Sequence, residues 1–119
     1  MKIILTTESI FSAARLKSKI IKAVDGQNED ISIDTWSYIK SSDGFDIIYH
    51  NPSQYTDDPQ KNVIFRVELD GENVIFSCAR WSKNPQPSDE MNSIHVGRLT
   101  EMLLVHFSKD IEKFSIVGF

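Results

Sequence analysis

"VIFRVELDGENVIFSCARW", residues 63–81, decides the fold. Two runs with apolar residues at alternate positions flank Asp70-Gly71, a dipeptide suited to a two-residue β-hairpin turn because its backbone matches the twist of the strands it joins. The spacing predicts that Leu69 opposes Glu72, Val67 opposes Val74, Phe65 opposes Phe76 and Val63 opposes Cys78. One face is then apolar on both arms. The other, with Ile64, Arg66 and Glu68 on one arm and Ile75, Ser77, Ala79 and Trp81 on the next, is mixed. A slip of one residue would turn every side chain to the wrong face, so the apolar pattern pins which residues point to the core.

Upstream, "DISIDTWSYIK" (30–40) alternates too, with Ile31, Ile33, Thr35, Ser37 and Ile39 on one face and Asp34, Trp36, Tyr38 and Lys40 on the other. A "SSDG" turn leads to the strand "FDIIYH" (45–50). "NPSQYTDDPQKN" (51–62) is polar, holds two prolines and reads as a loop. "TTESIFSAARLKSKIIKAVDG" (6–26) predicts a helix, capped by Thr6 or Thr7 and closed by Gly26. Ile10, Ala13, Ile20 and Val24, with Phe11, Ala14 and Ile21 beside them, form its buried side; Arg15, Lys19 and Lys22 form the wet side.

Downstream, "SKNPQP" connects to a second helix capped by Ser88, with Asp89 and Glu90 in the first turn, where acids suit the helix dipole. Met91, Ile94, Leu99, Met102, Leu103 and Phe107 form its apolar stripe, and Gly97 predicts a close approach of another element. "KFSIVGF" closes the chain as a strand; "MKIIL" opens it as a short strand or the run-in to the first helix. The order (β)αββββαβ predicts one α+β domain over residues 1–119, a mainly antiparallel sheet with two helices. Whether the helices share one sheet face or take one each is open at this level.

Composition narrows the function. The chain has 119 residues, 40% apolar and 25% charged, enough for one core. No apolar run approaches the roughly 20 residues that cross a bilayer. "MKIIL" is far shorter than a secretory apolar region of about 7–15 residues. A single cysteine excludes an internal disulfide and a multi-cysteine metal site. Together these favour a cytoplasmic protein, without membrane or cofactor; a secreted chain whose signal has been removed is the alternative.

The net charge of -4 is unevenly spread. Residues 1–24 carry five Lys/Arg and one Glu; residues 25–58 carry eight Asp/Glu and one Lys. Acidity argues against a nucleic-acid binder, which presents a basic face. It suits a basic protein partner, since complementary fields speed association.

The sequence offers little for catalysis or metal binding. Cys78 shares its strand face with Val74 and Phe76, which predicts a core thiol rather than a nucleophile. His95 and His106 lie eleven residues apart on one helix. That is about 16 Å, too far for one metal ion to bridge, and it predicts half-buried packing residues. No phosphate loop, nucleophile elbow or metal-protease motif is present. One enzymatic alternative remains: His50 as general base with Asp46, Tyr38 or Arg66.

The richer constellation is aromatic and acidic. Trp36 and Tyr38 share a strand face, and Trp81 shares the hairpin's outer face with Ile64 and Ile75. If exposed, they form an apolar patch rimmed by Asp30, Asp34, Asp43, Asp46, Asp57 and Asp58, and such patches mark partner sites. In size, acidity and order of elements the chain resembles the immunity proteins of bacterial toxin systems, including the contact-dependent inhibition kind. The resemblance implies a small cytoplasmic protein that neutralises a toxin domain, often a nuclease, by covering its active site or a nearby surface. No motif carries it, so it transfers no functional residue. The expectation is that carboxylates of residues 29–58 stand in for phosphates, with Trp36 and Tyr38 as anchors. A homodimer formed through "KFSIVGF" or the Trp-bearing face is a further alternative.

Overall fold

The computed structural model describes residues 1–50, 63–81 and 85–118. In chain order it has β1 (Lys2–Thr6), α1 (Ile10–Val24), β2 (Trp36–Lys40), β3 (Asp46–His50), β4 (Ile64–Asp70), β5 (Asn73–Ala79), α2 (Asp89–Phe107), a 3-10 turn (Ser108–Asp110) and β6 (Lys113–Val117). The strands form one antiparallel sheet in the order β2-β3-β4-β5-β1-β6. The expected α+β class and element order hold. "MKIIL" is a strand, seated between β5 and β6.

The hairpin keeps its predicted faces but not its predicted pairs. Leu69 opposes Val74, Val67 opposes Phe76 and Phe65 opposes Cys78, while Asp70 and Asn73 close the turn. The corner residues are therefore Gly71 and Glu72, not Asp70 and Gly71. Only Gly71 has a positive φ, +58°, so the turn places glycine at its first corner, as a type II′ turn requires. The register moves each residue's partner by two positions, an even step. Each side chain thus stays on its expected face.

Both helices pack on the same face. Ala13, Leu16 and Ile20 of α1 and Val96, Leu99, Leu103 and Phe107 of α2 join one cluster with Ile3, Leu5, Ile48, Phe65, Val67, Val74 and Phe76 of the sheet. No described helix covers the other face. Pairing registers align that open face in rows: Ile39–Ile47–Arg66–Ser77–Lys2–Val117, then Ser37–Tyr49–Ile64–Ala79, then Glu68–Ile75–Ile4–Ser115.

Local signals place the helices, with corrections. The Ser9 side chain, not Thr6 or Thr7, caps α1 by accepting from Ser12 N–H, because Thr6 is still in β1. The α1 exit follows the sequence: Gly26 has φ +73° and Gln27 N–H donates to the Lys22 carbonyl at 2.8 Å. Leu16 and Ala23 are buried, whereas Ile10 and Phe11 are 58% and 71% exposed. The buried stripe thus begins one turn later than the apolar residues suggest. Ser88 caps α2 as expected, accepting from Met91 N–H. Around Gly97, space for a side chain is open, with no atom within 4 Å of where a Cβ would sit, so no close approach explains it.

The segment read as the first part of β2 is not a strand. Ile33 N–H donates to the Ala23 carbonyl at 3.1 Å, so the chain there runs along the end of α1. The alternation of Ile31 and Ile33 reflects packing on a helix terminus. Pairing starts only at Trp36.

Candidate functional site

The structure separates the aromatic residues that the sequence grouped. β2 turns Trp36 and Tyr38 to the helix-covered face. Trp36 is 3% exposed, edge-on to His50 (ring centroids 5.4 Å apart) and tilted against Phe65 at 6.0 Å. It is a core residue, with no surface to offer a partner. Tyr38 is half-buried, and its hydroxyl donates to Asp46 Oδ1 at 2.6 Å.

Asp46 is thereby withdrawn from the expected acidic rim. Lys17 Nζ reaches across from α1 to Asp46 Oδ2 at 2.8 Å, and Lys40 Nζ stands 3.9 Å from Oδ1. Burial alone would raise the Asp46 pKa. The hydrogen bonds from Lys17 and Tyr38, with the charges of Lys17 and Lys40, outweigh it and hold the carboxyl below its ordinary range. The same bond, with smaller help from burial and the Asp46 charge, pushes the Tyr38 phenol up to about 12. An ionised carboxylate gains from a phenol O–H and would repel a phenolate.

The proposed enzymatic set is not brought together. Asp46 and His50 lie on the same face of β3, but four residues apart along an extended strand, or about 13 Å. Arg66 projects from the opposite face, its guanidinium carbon 3.8 Å from the centroid of the Phe45 ring. Cys78 lies on the helix-covered face, and burial pushes its thiol up to about 11, away from the range of a reactive thiolate. His95 is buried at 2% exposed and His106 is exposed, so neither is the half-buried packing residue expected. Among the described residues no three His, Cys, Asp or Glu side chains gather as a metal site. No helix of the described residues is long and apolar enough to cross a membrane.

Trp81 is where the sequence left a question, and it belongs to the open face. Its ring packs edge-on against Tyr49, centroids 5.8 Å apart. Beside them lies a hollow of about 410 Å3, floored by Ile47 and Ile64 and walled by Ile39, Phe45, Arg66 and Trp81. Ile47 and Ile64 are 7% and 3% exposed although no described helix lies over them. Asp43 and Lys40, in and before the β2–β3 turn, line the same hollow, with Arg80 on the far side. Asp30 and Asp34 are exposed. Asp34 stands two residues before β2, at the sheet end where β3 finishes and β4 begins, the end that also carries Tyr49 and Trp81. Asp57 and Asp58 lie outside the described residues.

Hollows also lie elsewhere among the described residues, two of them lined by ionisable groups. The larger, about 460 Å3, lies between α1 and the 3-10 turn and mixes charges that already pair, such as Lys19 with Asp110 at 2.9 Å. The second, about 230 Å3, lies between α2 and the β2–β3 end. His50, Arg98, Glu101 and His106 bring its ionisable groups, while Trp36, Met102 and Val105 give it an apolar wall. Sequence reasoning singled out His50 and His106 separately but missed Arg98 and Glu101. On α2 these two sit one turn apart, and nothing in the sequence pairs that turn with the end of β3.

Fold and site together define a class: an α+β protein whose described helices both shield one sheet face, with an aromatic-bearing face that no described helix covers. No protein-family model, curated protein or solved structure matches the chain.

Proposed function

We propose that the chain is a non-catalytic cytoplasmic binding protein that neutralises a basic protein partner, in the manner of an immunity protein for a toxin domain. The observation that carries this reading is the Trp81–Tyr49 pair on the face that no described helix covers, beside a hollow floored by Ile47 and Ile64. Trp and Tyr are the residue types on which interfaces concentrate their energy.

Charge selects the partner. The acidic segment 25–58 delivers exposed Asp34 to the sheet end that bears the aromatic pair, and Asp43 to the edge of the hollow. Arg66, the cation nearest the centre, is stacked on Phe45 and stands 3.8 Å from Glu68, so it adds little free positive charge. Lys40 and Arg80 line the hollow as well, so the support for a basic partner rests on Asp34 at the sheet end and Asp43 at the turn rather than on the hollow's lining as a whole. In this reading the carboxylates steer the encounter and Trp81 anchors it. Trp36 and Tyr38 are not anchors, because they belong to the core side.

The test is affinity for the product of the adjacent gene, measured by calorimetry for wild type, Trp81→Glu and the pair Asp30→Lys/Asp34→Lys. Trp81→Glu weakens binding by about 30-fold or more, the scale of an interface hot spot. The charge reversals slow association most at low salt. Unchanged binding by both variants removes the reading.

A further inference from the structure

β6 closes one end of the sheet, and its outer side has no described partner strand. Which of its backbone groups face outward follows from the strand beside it. Cys78 N–H donates to the Met1 carbonyl at 3.0 Å, and Thr7 N–H to the Glu72 carbonyl at 2.9 Å. The odd-numbered residues of β1 therefore bond to β5 and its even-numbered residues to β6. Lys2, Ile4 and Thr6 lie opposite Val117, Ser115 and Lys113, so those three β6 residues bond inward. Phe114 and Ile116 point their N–H and C=O groups away from the sheet. Glu112 N–H also turns inward, to the Thr6 carbonyl at 2.9 Å, which leaves the free stretch centred on Ser115. Residues 114–117 hold no charge and no proline, the devices that keep a sheet edge from pairing. Ile116 and Val117 are exposed on it.

We propose that β6 pairs antiparallel with β6 of a second copy about a twofold axis at Ser115, joining two sheets into one. In that register Phe114 lies opposite Ile116 of the second copy and exchanges both backbone hydrogen bonds with it. Symmetry repeats the exchange, so every outward N–H and C=O of these two residues is satisfied. The side chains agree. Phe114 and Ile116, which lie opposite Leu5 and Ile3 on the helix-covered side, make an apolar cross-strand pair. On the other side Ser115 meets Ser115 of the second copy, and Lys113 lays its hydrocarbon stem along Val117. Moving the axis to Phe114 would set Glu112 against Ile116; moving it to Ile116 would set Phe114 against Gly118. Charge selects this edge over β2. Residues 25–34, which lead into β2, carry four acids and no Lys or Arg, and two copies would repel there. Residues 109–113, which lead into β6, balance two Lys against Asp110 and Glu112. The pairing does not rest on the partner-binding reading, since β6 lies at the far end of the sheet from β2 and β3.

Sedimentation equilibrium of the full chain, over a dilution series from about 1 mM, measures the association. The expected result is a concentration-dependent rise from 13.6 kDa to twice that mass. Ser115→Lys sets two like charges across the axis and weakens association by about tenfold or more. Ser37→Lys, on the edge strand at the other end of the sheet, leaves it unchanged. Cross-linking through introduced cysteines reads the register. Ser115→Cys places two thiols across a non-hydrogen-bonded pair with Cα atoms about 4.5 Å apart, within disulfide reach, so oxidation yields a covalent dimer. Ile116→Cys sets the Cα atoms about 9 Å apart, out of reach. Cys78 is present in both variants and cannot explain a difference between them. A monomer at every concentration, dimerisation of Ser115→Lys equal to wild type, dispersal by Ser37→Lys, or Ile116→Cys linking as readily as Ser115→Cys would each overturn the proposal. If Ser115→Lys does not fold, the wild-type mass and the two cysteine variants decide alone.

Discussion

Tyr38 and Asp46 satisfy each other: the phenol donates to the carboxylate at 2.6 Å across the diagonal of the β2–β3 pair, and Lys17 closes the carboxylate's other oxygen at 2.8 Å. Two residues that the sequence offered to a partner are thus bound within the fold, tying α1 to the sheet. The phenol of Tyr38, pushed up to about 12, is expected to ionise late in an alkaline absorbance titration. Asp46→Asn removes the charged acceptor and brings the Tyr38 step back toward about 10.

The same pair makes a prediction about acid. The folded Asp46 pKa lies below its unfolded value, so its stabilisation is fully present above about pH 4 and disappears as pH falls through the folded pKa. Asp46→Asn is expected to destabilise by about 1–3 kcal/mol at neutral pH. The gap between wild type and variant in urea unfolding should close below about pH 4. A gap that persists at low pH would mean packing, not charge, holds the site.

The hairpin register has its own test. Gly71, at φ +58°, is the only residue of the turn in the left-handed region. Gly71→Ala is expected to destabilise by about 1–2 kcal/mol, because a side chain there meets backbone strain. Asp70→Ala sits in a strand position and should change stability by less than about 0.5 kcal/mol. Thermal unfolding of the two variants distinguishes this turn from one centred on Asp70-Gly71, where both substitutions would matter.

The two tryptophans should respond oppositely. Trp36 is packed between His50 and Phe65, and Trp36→Ala is expected to destabilise by about 3–5 kcal/mol. Trp81 is half-buried on the open face, and Trp81→Ala should lose about 1 kcal/mol or less. Fluorescence quenching by acrylamide checks the same contrast in the native state, with Trp81 the more accessible.

Gly97 lies exposed inside α2 with open space around it. Gly97→Ala is therefore expected to stabilise the protein by about 0.5–1 kcal/mol, the ordinary helix-propensity difference, read as a higher melting temperature. A loss of stability would reveal a neighbour that the open space around Gly97 does not show.

Much of the architecture was legible because it rests on local rules. The hairpin announced itself by period-two alternation around a glycine, and α2 by a serine cap with acids in its first turn. What misled was local pattern without its neighbour. Ile31 and Ile33 alternate as a strand would, but they pack on the end of α1. Ile10 and Phe11 have the spacing of a core stripe, yet they sit at the exposed start of that helix. The hollow between α2 and the β2–β3 end was illegible because Arg98 and His50 come from elements 48 residues apart in the chain, and only packing brings them to one place.

By itself the sequence determined the element order, the two faces of each hairpin strand and the uneven charge, since these follow from periodicity, turn chemistry and composition. Only the tertiary structure decided which sheet face the helices shield. That choice depends on how two distant apolar stripes meet the same side of a sheet, and no local spacing encodes it. It put Trp36 and Tyr38 inside and left Trp81 on the face without a described helix.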